Sequence, residues 1–292
     1  MNFRQIRNIL PMPCFRSAAV FLLLSAAALL MGALSSQLSS PSRPTPNPPA
    51  DAAATKLLGE ALARLGPDRV TWLETKVWQK GCLDRFTYEA EGHYLAGPNH
   101  RFRLELTTFH GRAAATSLLV SDGHTLWQGR RRGDGPWSDV SRVYVGQWGP
   151  TGAADSLSRL PDQVLASRLF DGIAPLLHAL QSNLAWSRKE TVRRSGEVYF
   201  KLTGAWSEEA LRVLAPPDQP WPDGLPRRCR LYLDVQTLWP HRVEWWGPSS
   251  PRSPDALLLQ IEFRDPVVNQ PLSSERVARE FSVPHATGPA LK

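Results

Sequence analysis

The sequence predicts an α+β fold, a single curved antiparallel sheet with helices covering its concave face. Three observations carry that expectation. Residues 257–264 alternate, with Leu257, Leu259, Ile261 and Phe263 pointing one way and Leu258, Gln260, Glu262 and Arg264 the other. A strand that is apolar on one face and largely polar on the other belongs to an antiparallel sheet with one wet surface. Alternating runs of this kind follow one another in sequence order. One opening helix and one helical insert are then left to cover the sheet.

The elements follow in order. Residues 51–65 read as an amphipathic helix with Leu57, Leu58, Ala61, Leu62 and Leu65 on one stripe, ended by Gly66 and Pro67. Residues 70–80 set Leu73, Thr75 and Val77 against Trp72, Glu74, Lys76 and Trp78. Residues 85–95 set Phe86, Tyr88, Ala90 and Tyr94 against Arg85, Thr87, Glu89, Glu91 and His93. Residues 101–108 repeat the pattern with Phe102, Leu104 and Leu106 against Arg101, Arg103 and Glu105. Residues 117–121 and 125–130 form a hairpin around Asp122 and Gly123, a pair suited to tight turns. Residues 133–161 are rich in Gly, Pro and Asp. Residues 165–184 return to helical spacing, with Leu169, Ile173, Leu176, Leu177, Leu180 and Leu184 as the stripe. Pro175 is expected to kink or split that helix. Strands resume at 190–194 and at 198–203, where Val198, Phe200 and Leu202 alternate. A Pro-rich excursion at 215–226 reads as a long loop. The last quarter reads strand, turn, strand, loop, strand and a polar tail, with no internal repeat.

The N-terminus concerns address. Arg4, Arg7 and Arg16 precede an uncharged run at 17–34 rich in Leu and Ala. A basic segment followed by an apolar one targets a chain across a membrane. Small residues around Ala33 and Ser35 suit cleavage, while the length of the run borders on a short transmembrane helix, so secretion and an uncleaved anchor both stand. Either puts the rest in the periplasm or another extracytoplasmic space. Residues 1–35 are therefore read as signal peptide or anchor. Residues 36–50, rich in Ser and Pro, form a linker, and 51–292 a single domain. Of the 34 Lys and Arg, four lie before Asp51, as do none of the 27 acids, which leaves the domain at +3. That is no argument for nucleic acid. Cys82 and Cys229 are the cysteines of the domain; an oxidising compartment permits a disulfide between them, the alternative being two unpaired small hydrophobes.

Motifs of enzymes are missing. There is no Gly-x-Ser-x-Gly, no His-Glu-x-x-His and no phosphate-binding glycine loop, and the seven His are not spaced as a metal pair. No catalysis, metal or cofactor is expected. Eleven Trp are present, and Trp137, Trp148, Trp206, Trp221 and Trp239 fall in or near expected loops. They either meet a membrane interface or partner, or pack at the edge of the sheet. The basic clusters 130–132 and 227–230 either meet phosphate or acidic groups, or are solvated loop ends.

These residues carry a resemblance. The opening helix, the run Ser121-Asp122-Gly123-His124-Thr125-Leu126-Trp127, the turn from Asp234 through Leu238, Trp239 and Pro240 to Val243, and the close at Asn269, Pro271, Phe281 and Pro284 resemble the outer-membrane lipoprotein carriers LolA and LolB and their periplasmic relatives. The resemblance implies an open half-barrel lidded by helices, whose apolar cavity accepts acyl chains of lipids or lipoproteins without chemistry. It also implies a membrane-bound donor or acceptor protein and a monomeric carrier. The wall would be Phe86, Tyr88, Phe102, Leu104, Leu106, Val198, Phe200, Leu202, Leu259, Ile261 and Phe263, and the lid Leu58, Leu62, Leu176, Leu177 and Leu180. The chain departs from the carriers in its candidate anchor and its Pro-rich excursion. Periplasmic regulators such as RseB contain a similar half-barrel, so a sensor or docking protein that binds a partner protein is the alternative.

Overall fold

Two antiparallel meanders joined along their first and last strands make the sheet. The computed structural model describes residues 50–66, 68–83, 86–110, 113–144, 173–214, 226–248 and 254–282. Helix α1 (Ala52–Leu65) leads into β1 (Leu73–Leu83), β2 (Phe86–Gly97), β3 (Arg101–His110), β4 (Ala113–Asp122), β5 (Thr125–Arg132) and β6 (Ser138–Tyr144). Helix α2 (Ile173–Asn183) leads into β7 (Leu184–Arg194), β8 (Glu197–Trp206), helix α3 (Glu208–Leu214), β9 (Arg228–Asp234), β10 (Pro240–Pro248), β11 (Asp255–Val268) and helix α4 (Ser274–Glu280). The strand order is β6-β5-β4-β3-β2-β1-β11-β10-β9-β8-β7. The sheet is curved and does not close, so β6 and β7 are its edges. It is an open half-barrel with α1 and α2 on the concave side.

Local chemistry explains the bends. Register shifts fall at Glu74/Lys76, Gln128/Arg130, Trp186/Arg188, Pro240/Arg242 and Trp245/Trp246. An extra residue on one strand bends it and increases its twist. Two aromatic rings also lie over glycines directly across from them. Tyr88 faces Gly81 and Trp186 faces Gly204. A Cβ on Gly81 would stand 2.3 Å from the Tyr88 ring, so any other residue there displaces it.

The turns follow their sequence. Asp122 Oδ1 accepts from the backbone N–H of His124 and Thr125, both at 2.8 Å, and Gly123 takes φ 97°. In the β9–β10 turn, Asp234 Oδ1 accepts from the N–H of Gln236 at 3.0 Å and of Thr237 at 2.7 Å. Leu238 then adopts φ 59° and is buried with Trp239.

The inner face matches the expected alternation. Leu73, Thr75 and Val77, Phe102, Leu104 and Leu106, and Leu259, Ile261 and Phe263 are all buried. Other expectations need correction. The polar side of β10 and β11 is not wet: Arg242, Glu244, Gln260 and Glu262 are buried, with Glu262 only 3% exposed. Arginine, tryptophan and tyrosine side chains lie along that face and cover the carboxylates. Leu184, expected as the end of the helical stripe, is the first residue of β7, because α2 passes into a strand without a loop. Pro175 falls in the first turn of the described helix Ile173–Asn183, where a proline is tolerated; residues 165–172 of the expected helix lie outside the described residues. Strand β6 and helices α3 and α4 were not anticipated.

A disulfide between Cys82 and Cys229 is ruled out by the topology. Cys82 is on β1 and Cys229 on β9, with β11 and β10 between them. Gly81 opposes Leu259, which opposes Trp245, which opposes Cys229. Three strand spacings are about 14 Å, whereas a disulfide spans Cα atoms at most about 7 Å apart. Alternation also places Cys82 on the face opposite to that of Cys229.

The transmembrane helix considered for the N-terminus has no counterpart in the structure. Among the described residues no helix is long and apolar enough to cross a membrane. Residues 17–34, on which that expectation fell, lie outside the described residues, as do the linker at 36–49 and residues 215–225 of the Pro-rich excursion.

Candidate functional site

The candidate site is the concave face and the two helices laid over it. Helix α1 starts there because Asp51 caps it: Oδ1 accepts from Ala53 N at 2.8 Å and Ala54 N at 3.4 Å. The same carboxylate accepts from Lys189 N at 3.2 Å, and Asp51 N donates to the Trp186 carbonyl at 2.7 Å. The start of α1 is thereby attached to edge strand β7. At its other end Arg64 Nη1 donates to the Gln236 carbonyl at 2.8 Å, in the β9–β10 turn. A helix of this length runs about 21 Å, enough to cross the β7–β10 half of the sheet. Its stripe of Ala54, Leu57, Leu58 and Ala61 is buried, and Ile173, Leu177 and Leu180 of α2 join the same apolar cluster.

The wall beneath is ordered by strand register. Gln79, Ile261, Val243, Leu231, Leu202 and Lys189 stand directly opposite one another across β1, β11, β10, β9, β8 and β7. From Gln79 to Leu202 the row spans about 19 Å, counting four strand spacings. Trp206 and Trp245 stack beside it, ring centroids 5.4 Å apart, and Trp206 Nε1 donates to the Pro226 carbonyl at 2.7 Å. Trp239 Nε1 donates to the Phe263 carbonyl at 3.0 Å. Trp206 and Trp239 are therefore core residues with satisfied N–H groups; Trp148 and Trp221 lie outside the described residues.

Most of the wall and lid residues anticipated from sequence come together. Leu58, Phe102, Leu104, Leu106, Leu177, Leu180, Leu202, Leu259, Ile261 and Phe263 belong to one buried cluster, with Leu62, Leu176 and Phe200 partly buried against it. Val198 is half-exposed and outside that cluster, and the side chain of Phe86 is outside the described part. Tyr88 is half-buried over Gly81, its hydroxyl accepting from Gln79 Nε2 at 2.7 Å. Burial pushes the Tyr88 phenol up, so it keeps its proton at any ordinary pH. Burial likewise raises the Cys229 thiol, and that cysteine is an inert part of the core.

Sequence reasoning missed Leu231, Leu233 and Val243, although alternation with Cys229 marks the first two. It missed Gln79 for a different reason. A glutamine breaks an apolar pattern and so reads as facing solvent.

Four arginines of the basic clusters have partners within the fold. Arg131 pairs with Glu105 at 3.0 Å and lies over the Trp137 ring at 4.7 Å. Arg227 and Arg228 pair with Asp255, and Arg230 lies over Trp246 at 4.4 Å. On the outer face Glu244 accepts from Tyr232 and Trp246, at 3.2 and 3.0 Å, and Glu262 pairs with Arg242 and Arg264. Among the described residues no group of three or more His, Cys, Asp or Glu is placed to hold a metal ion.

No protein-family model matches the sequence, and no curated protein matches it. Solved structures match it at low identity. The MucA/MucB complex of Pseudomonas aeruginosa matches at TM-score 0.34 and 18% identity, over 77% of this chain and 60% of that one. The chain thus spans about three fifths of the MucB structure. LprF from Mycobacterium bovis matches at TM-score 0.39 and 10% identity, covering 77% of this chain and 97% of that one. A LolA-superfamily protein from Nitrosomonas europaea matches at TM-score 0.30 and 11% identity, covering 76% and 96%. At this distance no residue of one chain maps onto a residue of another.

Proposed function

We propose that this is an extracytoplasmic, non-enzymatic binding protein that takes an acyl chain of a lipid or lipoprotein between α1, α2 and the concave wall. One observation carries the reading: two leucine-faced helices cover a continuous apolar row, and α1 is fastened at its ends by a few polar contacts. Contacts between apolar side chains are non-directional, so an acyl chain can replace the helix leucines against the same wall. Each buried methylene contributes about 0.8 kcal/mol. The basic, then apolar, N-terminal segment accounts for the compartment.

Native mass spectrometry of the protein secreted from a host and purified without detergent tests this. Bound lipid, or a lipoprotein held through its acyl chains, is the expected result. A protein that is empty and also takes up no fluorescent fatty acid overturns the reading and leaves the alternative, docking of a partner protein.

A further inference from the structure

Gln79 is a buried polar side chain that the half-barrel leaves incomplete. It sits on β1, the middle strand of the eleven, and is 0% exposed. Alternation with Thr75 and Val77 turns it to the concave side, where Ile261 and Ala90 are its direct cross-strand neighbours. Its Nε2 donates to the Tyr88 hydroxyl, and its Oε1 is buried with no hydrogen-bond partner. Thr75, a polar neighbour on the same face, differs: its hydroxyl donates to the Arg264 carbonyl at 2.7 Å. With Nε2 given to the Tyr88 hydroxyl, Oε1 is the terminal atom left without a partner. A buried acceptor without a donor is costly, and native interiors rarely keep one without a use for it.

The surroundings suit an incoming group. The Tyr88 ring fills the space over Gly81, whereas Ala90, directly opposite Gln79, carries only a methyl group, and the apolar row Ile261, Val243, Leu231 and Leu202 begins beside Gln79. We propose that Gln79 is the polar anchor of the site. Its Oε1 accepts a hydrogen bond from a hydroxyl or amide N–H next to the acyl chain, while the chain runs along that row. The ligand class is therefore an acyl compound with a donor-bearing head, such as a monoacylglycerol or an N-acyl amide, in preference to a simple ester. This rests on the reading that the concave face takes an acyl chain.

Competition on the secreted protein tests it, with 1-monomyristoylglycerol and methyl myristate each displacing a fluorescent fatty acid. These competitors share chain and ester and differ in the donor. The ratio of their affinities in the wild type is expected to favour the glyceride, and to fall about tenfold in Gln79→Leu and in Gln79→Met, the effect of one hydrogen bond to a buried acceptor. Gln79→Met nearly conserves volume, and circular dichroism checks that each variant folds. The same ratio in wild type and variants overturns the anchor while leaving the acyl site standing. If neither variant folds, the wild type decides alone, and equal displacement by the two competitors overturns the anchor. A folded wild type that binds no fluorescent fatty acid overturns the acyl reading, and the anchor with it.

Discussion

The two faces of strands β9 to β11 are both buried, but by opposite chemistry. Inward, Leu231, Val243 and Ile261 pack under the helices. Outward, Trp78, Glu262, Arg242, Tyr232, Lys201 and Glu190 oppose one another across six neighbouring strands. Lys80, Gln260, Glu244, Arg230, Thr203 and Arg188 form the row beside them. Arg242 and Arg264 also lie over the Tyr232 and Trp78 rings, at 5.7 and 5.2 Å. Apolar contacts can be exchanged for other apolar contacts at little cost, whereas ion pairs and hydrogen bonds hold one geometry. The outer face therefore fixes the shape of the wall, and the proposed function asks the inner face to exchange helix leucines for an acyl chain.

The largest expected effect breaks the outer face. Glu262→Ala takes the nearer carboxylate from buried Arg242 and leaves it Glu244 at 3.5 Å, and should cost about 3 kcal/mol, against about 0.5–1.5 kcal/mol for its neighbour Ile261→Val on the inner face. Urea denaturation reads both. Replacing Glu262 and Arg242 together by Met and Leu should recover most of the loss, since a well-packed apolar pair commonly matches a buried ion pair. If the double variant is as unstable as the single one, the outer rows do more than satisfy one another.

A smaller effect sharpens the inner face. Asp51→Ala removes both the cap of α1 and its attachment to Lys189 N, with an expected loss of about 1–2 kcal/mol. Hydrogen exchange should rise in α1 while the β9–β11 amides stay protected. Uniform loss of protection would mean that α1 is a structural member of the core rather than a cover.

The mildest prediction concerns α4. Arg276 donates to Glu74 at 2.8 Å, and that bond holds the Glu74 carboxyl below its ordinary value, with His93 also beside it at 3.0 Å. A carboxyl whose folded pKa is lowered stabilises the fold above its unfolded pKa, and that contribution is lost as pH falls through the folded value. Protection factors at 274–281, taken against the intrinsic rate at each pH, should therefore fall on acidification to below the ordinary carboxylate range. Arg276→Ala should show that lower protection already at neutral pH. A variant with the wild-type acid response would place the titration elsewhere.

Much of this was legible in the sequence, and the failures have physical causes. Alternation in 101–106 and 259–264 correctly separates inner from outer residues, because period two is a property of the strand itself; it fails at Leu257, which a register shift sets opposite Trp246. It does not say whether the outer side is wet. Glu262 and Gln260 read as solvent-facing, and only neighbouring strands reveal the arginines and aromatic rings that cover them. Leu180 and Leu184 sit four apart, which suits a helix, so the passage from α2 into β7 was hidden. Strand β6 carries too little apolar alternation to be seen. Gln79 shows the limit for the site: a polar residue on an apolar face is visible as an exception, but its unpaired oxygen is a fact of three dimensions.

The pairing of β1 with β11 has a consequence for how the chain reaches its folded state. Leu73 lies opposite Val268. The hairpins of each meander can form from local sequence as it emerges, but the central joint must await nearly the last residue of the domain. Contacts so distant in sequence form slowly, and until then β1 presents an open edge able to pair with other chains. If the chain is exported from its N-terminus, as proposed, the interval before β11 arrives is when aggregation threatens most, and when help from a chaperone would matter most.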